Sequence, residues 1–99
     1  MKISASEQVQ NWLISLPPER KHRVRLALRG LAKGVGDIKA LLGPLEGFNR
    51  LRIGSLRVVY RQIARDHILL EYADSRDRVY ETFQSICHAL ADRPPPQSP

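Results

Sequence analysis

A chain of 99 residues with 42% apolar side chains has room for one domain and a modest core; halving it leaves pieces too small to bury one each. No apolar run approaches the ~20 residues of a membrane span, and the opening Met1-Lys2-Ile3-Ser4-Ala5-Ser6-Glu7 turns polar too early for a signal peptide, which points to the cytoplasm. Sixteen Lys and Arg against ten Asp and Glu give a net charge of +6. Between Arg20 and Arg65 the excess concentrates: Arg20, Lys21, Arg23, Arg25, Arg29, Lys33, Lys39, Arg50, Arg52, Arg57, Arg61 and Arg65 face only Asp37 and Glu46. The arginine fork matches phosphate oxygens two at a time, so a polyanionic partner is the first reading and a solvated basic surface the alternative. The lone cysteine, Cys87, forms no internal disulfide and reads as a buried spectator thiol.

In chain order, residues 1–4 read as a very short strand. Ser4-Ala5-Ser6-Glu7 has the spacing of a capping box, so a helix is predicted to start there. Val9, Trp12, Leu13 and Leu16 fall at i, i+3, i+4 and i+7, one apolar stripe on a helix that Pro17-Pro18 stops. Pro18 suits the first turn of a second helix, with Val24, Ala27, Leu28 and Leu31 as its buried face and Gly34 and Gly36 at its end. Two helices so closely joined make an antiparallel hairpin. Arg20, Arg23, Arg25, Arg29 and Lys33 cover the rest of the second helix. A helix-turn-helix reader of DNA needs a third helix nearby, and the following residues read as a loop and then strands, so a solvated basic face is the reading kept.

From Phe48 the period changes to two. Asn49-Arg50-Leu51-Arg52-Ile53 alternates, Gly54-Ser55 turns, and Leu56-Arg57-Val58-Val59-Tyr60-Arg61-Gln62-Ile63 is a β-branched and aromatic run. Ala64-Arg65-Asp66 turns again before a third strand, His67-Ile68-Leu69-Leu70-Glu71-Tyr72-Ala73, and the three pair as an antiparallel meander. Alternation turns Leu51, Ile53, Val58 and Tyr60 toward the helices and Arg50, Arg52, Arg57 and Arg61 away. Val79 to Leu90 reads as a final strand or a helix end, with Val79, Phe83, Ile86 and Leu90 at helical spacing, and the proline-rich residues 93–99 are predicted to be a disordered tail. Asp66-His67 with Ser55 or Ser75 lacks the setting of a hydrolase triad, and His22, Cys87 and His88 lack metal-ligand spacing. Gly34-Val35-Gly36 follows a helix, where a phosphate loop follows a strand. No metal or cofactor is predicted.

The same order of elements carries a specific run of residues: Leu45-Glu46-Gly47-Phe48-Asn49-Arg50-Leu51-Arg52-Ile53-Gly54-Ser55-Leu56-Arg57-Val58-Val59-Tyr60-Arg61, then Asp74-Ser75-Arg76-Asp77-Arg78-Val79-Tyr80. Over residues 6–90 this resembles the RelE/ParE superfamily of bacterial toxins, whose pattern is a Leu-x-Gly loop, a basic strand, Arg-Val-Val-Tyr, and a late Arg-x-x-Val-Tyr. The resemblance implies an α+β fold, a helix hairpin packed on one face of a small antiparallel β-sheet, over residues 1–92. The opposite, concave face then carries the basic residues on a surface the helices leave bare.

The resemblance further implies a toxin of a type II toxin-antitoxin system, silenced by a cognate antitoxin protein. RelE-type members are metal-free ribonucleases that cut messenger RNA, often on the ribosome, and so block translation. Such cleavage uses the RNA's own 2′-hydroxyl and needs a proton acceptor, cations for the dianionic transition state and a proton donor. Carried across by position, Arg50, Arg52, Arg57, Arg76 and Tyr80 are the catalytic candidates, with Arg61, Arg78 and Lys39 as RNA-binding candidates. Two departures bear on this. Where such nucleases commonly carry lysine or histidine, this chain has arginine, which stays charged at any useful pH, so the general base is missing unless neighbouring arginines favour a Tyr80 phenolate. The opening strand is also shorter than usual, which implies either a start upstream of Met1 or an unprotected sheet edge that a partner strand could occupy. The same shape serves ParE-like toxins that inhibit DNA gyrase without catalysis, and an inactive relative that only binds its antitoxin is a third reading.

Overall fold

The computed structural model describes residues 1–75 and 82–87. The elements are β1 (Lys2–Ala5), α1 (Glu7–Ser15), α2 (Pro18–Ala32), β2 (Asp37–Ala40), a 3-10 turn (Gly43–Leu45), β3 (Asn49–Ile53), β4 (Leu56–Ala64) and β5 (His67–Asp74), with residues 82–87 helical. The five strands form one sheet in the order β1-β5-β4-β3-β2. β1 runs parallel to β5, and the remaining pairs are antiparallel. The predicted helix hairpin over a meander is therefore present, and the sheet is wider than three strands at both edges. Among the described residues no helix is long and apolar enough to cross a membrane.

The helix hairpin forms where the sequence places it, with one correction at its start. Ser6, not Ser4, is the N-cap of α1: its hydroxyl accepts from Val9 N at 3.3 Å. Ser4 instead lies in β1, where its hydroxyl stands 2.6 Å from His67 Nε2. The capping serine also donates to the Glu71 carbonyl at 2.8 Å. Gln8 extends the same edge, its amide donating to the Ala73 carbonyl at 2.7 Å and accepting from Ala73 N at 2.9 Å. Side chains of Ser6 and Gln8 thus satisfy the part of β5 that the four-residue β1 cannot reach, which is how so short an opening strand suffices.

β2 lies in residues the sequence reads as loop. Every one of its side chains is exposed, so no apolar alternation marks it. It exists because β3 offers it a partner, with Asp37, Ile38, Lys39 and Ala40 opposite Arg52, Leu51, Arg50 and Asn49. The β3–β4 hairpin closes through Gly54, whose φ of 59° is open to glycine at little cost. Pairing of β4 with β5 slips by one residue at Glu71, since Val59 faces Tyr72 while Tyr60 faces Leu70. This bulge keeps Ile68, Leu70 and Ala73 all on the helix side, against simple alternation.

The main core lies between hairpin and sheet: Val9, Leu16, Val24 and Leu31 from the helices meet Leu51, Ile53, Leu56, Val58, Tyr60, Ile68, Leu70 and Ala73. Burial raises the Tyr60 phenol above its ordinary pKa, as befits a packed tyrosine. A second, smaller cluster lies on the other face. Leu45, Val59 and Phe83 are buried there, with Leu41, Phe48, Tyr72 and Cys87 packed around them. Phe83 meets Phe48 edge-on at 5.1 Å and stacks on Tyr72 at 5.9 Å between ring centroids. Of the helical spacing from Val79 to Leu90, residues 82–87 bear out the helix, and the rest, like the tail at 93–99, lies outside the described residues.

Leu51, 1% exposed at the centre of β3, joins sheet to helices. Leu51→Ala should lower unfolding stability by about 2–5 kcal/mol, measured by urea denaturation, because the sheet around it cannot collapse to fill the space.

Candidate nucleic-acid interface

The sheet face turned from the helices carries Lys39 on β2, Arg50 and Arg52 on β3, and Arg57 and Arg61 on β4. The same parity that points Leu51, Ile53, Val58 and Tyr60 into the main core directs the arginines outward. Five of the eight residues proposed from sequence are thus brought to one face. Arg76, Arg78 and Tyr80 lie outside the described residues.

Register creates an electrostatic problem. Lys39 stands directly opposite Arg50, and Arg52 directly opposite Arg57, and like charges in those positions weaken a sheet. Asp37 answers the first pair. It sits opposite Arg52 and diagonal to Arg50, and its carboxylate reaches both: Oδ1 accepts from Arg50 Nη2 at 3.0 Å, and Oδ2 lies 3.1 Å from Arg52 Nε. Arg57 answers the second by folding onto the hairpin turn, Nη1 donating to the carbonyls of Gly54 at 2.9 Å and Leu56 at 3.1 Å. Arg61 Nε donates to Glu71 Oε2 at 3.2 Å, and its guanidinium lies over the Phe48 ring, 5.9 Å from the centroid. Asp74 stands opposite Arg57 in the β4–β5 register.

Two expectations are corrected here. The helix-free face is not bare: Leu45, Val59 and Phe83 bury its middle, and the cations ring that second core. Nor are the four arginines left to repel one another, because Asp37 and Glu71 pair with three of them and backbone carbonyls hold the fourth. Sequence reasoning missed both carboxylates. Asp37 could have been found only by recognising β2, and Glu71 only by placing it diagonal to Arg61, which faces Leu69 in the β4–β5 register.

Arg50 is the most enclosed of these cations, its side chain 14% exposed. Its Nε is buried and has no hydrogen-bond partner among the described residues, although a guanidinium carries five donors. Chemically, the face offers fixed cations that exposed carboxylates hold in place, and an anion stronger than a carboxylate can displace them. Asp37→Asn should free Arg50 and Arg52, tighten binding of a short polyphosphate and steepen its salt dependence by about 0.7–0.9 for each phosphate newly neutralised. Weaker binding would show that Asp37 positions the arginines more than it masks them.

Cys87 lies under the second core, half-buried. Burial and, after it, the nearby Glu71 carboxylate raise its pKa, with Arg61 opposing. The thiolate is therefore scarce at neutral pH, and Cys87 should be alkylated by iodoacetamide more slowly than a free thiol, approaching the free rate only on denaturation.

No protein-family model matches the sequence, and no curated protein sequence matches it. Solved structures do. The toxin-antitoxin complex RelBE2 of Mycobacterium tuberculosis aligns with a TM-score of 0.65 at 22% identity, over 76% of this chain and 96% of that one. The archaeal RelE-RelB complex of Pyrococcus horikoshii aligns at 0.61 and 26%, over 78% and 96%. The YoeB-YefM complex of Staphylococcus aureus aligns at 0.61 and 19%, over 75% and 94%. The chain has the RelE-like toxin fold.

Proposed function

We propose that this chain is the toxin of a toxin-antitoxin pair and acts as a metal-free endoribonuclease on messenger RNA. The observation that carries the reading is the gathering of Lys39, Arg50, Arg52, Arg57 and Arg61 on one sheet face, in a fold shared with toxins solved in complex with antitoxins. In this reading the scissile phosphate displaces Asp37 and is clamped by Arg50 and Arg52, while Arg57 leaves the turn carbonyls to meet the charge that grows as the 2′-hydroxyl attacks. Arg61 and Lys39 hold the flanking phosphates.

Arginine does not exchange protons at working pH, so proton transfer falls to Tyr80, with Arg76 and Arg78 favouring its phenolate. Their inclusion is supported by the residues that bracket them: Asp74 stands opposite Arg57, and Phe83 packs against Phe48, both on this face. An antitoxin with an acidic segment complements the same surface, and the cytoplasm, where transcripts and ribosomes are, is the place of action.

Arg57→Ala should abolish growth arrest on induction in a bacterial host while leaving the unfolding midpoint near that of the parent, since among the described residues Arg57 bonds to the carbonyls of Gly54 and Leu56 at the hairpin end. A variant as toxic as the parent would remove the phosphate clamp. One observation favours a second reading: none of Arg50, Arg52, Arg57 and Arg61 transfers a proton, which suits a gyrase inhibitor that binds without chemistry. Mapping transcript ends after induction separates the two. Cut messages with loss of translation support the nuclease, and intact messages with a DNA-damage response support the inhibitor.

A further inference from the structure

Beside the paired arginines, the end of β2 and the two residues that follow it, 39–42, wall a cleft of about 310 Å³ together with Arg50. That volume falls at the small end of ligand pockets, which run from roughly 300 to 1,000 Å³. Its lining combines two cations, Lys39 and Arg50, with three apolar residues, Ala40, Leu41 and Leu42. We propose that this cleft is a nucleotide subsite, which packs one base of single-stranded RNA against Leu41 and Leu42, with Lys39 on the flanking phosphate and Arg50 on the scissile one. The inference rests on the ribonuclease reading above and names the part of the site that binds beside the point of cleavage.

Three observations carry it. Leu42 exposes 81% of its surface, and it sits beside two cations instead of over the core. A single exposed leucine is unremarkable, but here it continues Ala40 and the half-buried Leu41 as an apolar wall. Arg50, which lines the cleft, bonds to Asp37 through Nη2, while its buried Nε has no acceptor among the described residues, a donor that a ligand oxygen could satisfy by drawing the side chain toward it. Finally, the two halves of the cleft match the two halves of a nucleotide. A base presents a flat, weakly hydrated face and a phosphate presents charge, and the lining of the cleft offers apolar surface and cations together. A purely phosphate-binding site has no use for the leucines.

Two further cavities among the described residues lack this pairing with the site. One lies between Met1, Ile3 and α2, and the other between α1 and α2, both on the hairpin side of the sheet. Because the cleft grips a base through contact and not through charge, its effect separates from that of the arginine clamp. Truncating the wall weakens RNA while leaving a bare polyanion untouched. Removing Lys39 weakens both, by charge alone.

The test uses the full chain and two probes of similar charge, a nine-nucleotide single-stranded RNA and an inorganic polyphosphate, titrated at several salt concentrations. Leu42→Ala should weaken the RNA about fivefold with an unchanged salt slope, and leave polyphosphate binding as it was. Lys39→Ala should weaken both probes and lower the RNA slope by about 0.7. RNA carrying one abasic position should bind the parent more weakly than intact RNA, and the Leu42→Ala variant should no longer distinguish the two. Equal RNA affinity for parent and Leu42→Ala overturns the subsite, as does an equal loss for RNA and polyphosphate, which would make Leu42 a support of the arginine face. A parent that binds polyphosphate but not RNA overturns it as well. Failure of the wider reading looks different: the parent then binds neither probe, or Arg57→Ala stays toxic while the Leu42 effect on RNA persists.

Discussion

Like charges set face to face across neighbouring strands are the constraint around which this molecule is arranged. With Lys39 opposite Arg50 and Arg52 opposite Arg57, β2, β3 and β4 cannot pair on backbone hydrogen bonds alone without holding four cations within a few ångströms. Asp37 and the turn carbonyls relieve that repulsion, but they do so with exposed, replaceable partners. A sheet built only for stability would place apolar or alternating charges there. Cations retained in register and held by partners that a phosphate outcompetes fit a surface kept for a polyanion.

That surface is held from both sides of the sheet. The helix hairpin packs on one face of β3 and β4 and fixes the backbone through Leu51, Ile53, Val58 and Tyr60. On the other face the smaller cluster of Leu45, Val59 and Phe83 fills the space between the arginines. Arg61 belongs to both the charged ring and this second core, since its guanidinium pairs with Glu71 and covers the Phe48 ring that Phe83 meets edge-on. Residues 82–87 therefore help set the arginine face although they carry none of its charge.

Much of this was legible in the sequence, and the physical reason is periodicity. The stripe Val9, Trp12, Leu13, Leu16 and the alternation through β3 and β4 state which side chains are buried, and burial decides which arginines point out. What was not legible had no such pattern. β2 is exposed at every position and forms only because β3 presents it an edge, so Asp37 read as a lone acid in a loop. The bulge at Glu71 is set by two strands together, and no local signal marks it. Ser4 and Ser6 both stand before an apolar stripe, and the choice of Ser6 as cap follows from Ser4 being drawn into β1 beside His67. The second core draws Phe48, Tyr72 and Phe83 from three distant stretches, which no window of sequence brings together.

The use of arginine in place of lysine has a consequence for where chemistry can occur on such a face. Guanidinium charge does not respond to pH in any working range, so the cations give a constant field, and every pH-dependent event must come from a group set within it. That field favours negative groups: Asp37 and Glu71 already pair with its arginines, and a phenolate or a phosphate dianion brought among them is favoured in the same way. Positive charge and proton transfer are then supplied by different parts of the chain, the first by β2, β3 and β4, the second by whatever acidic group enters the ring. A face of this kind stabilises an anionic transition state well and starts a reaction poorly by itself, so the identity of the group that enters decides whether the fold cuts its partner or only grips it.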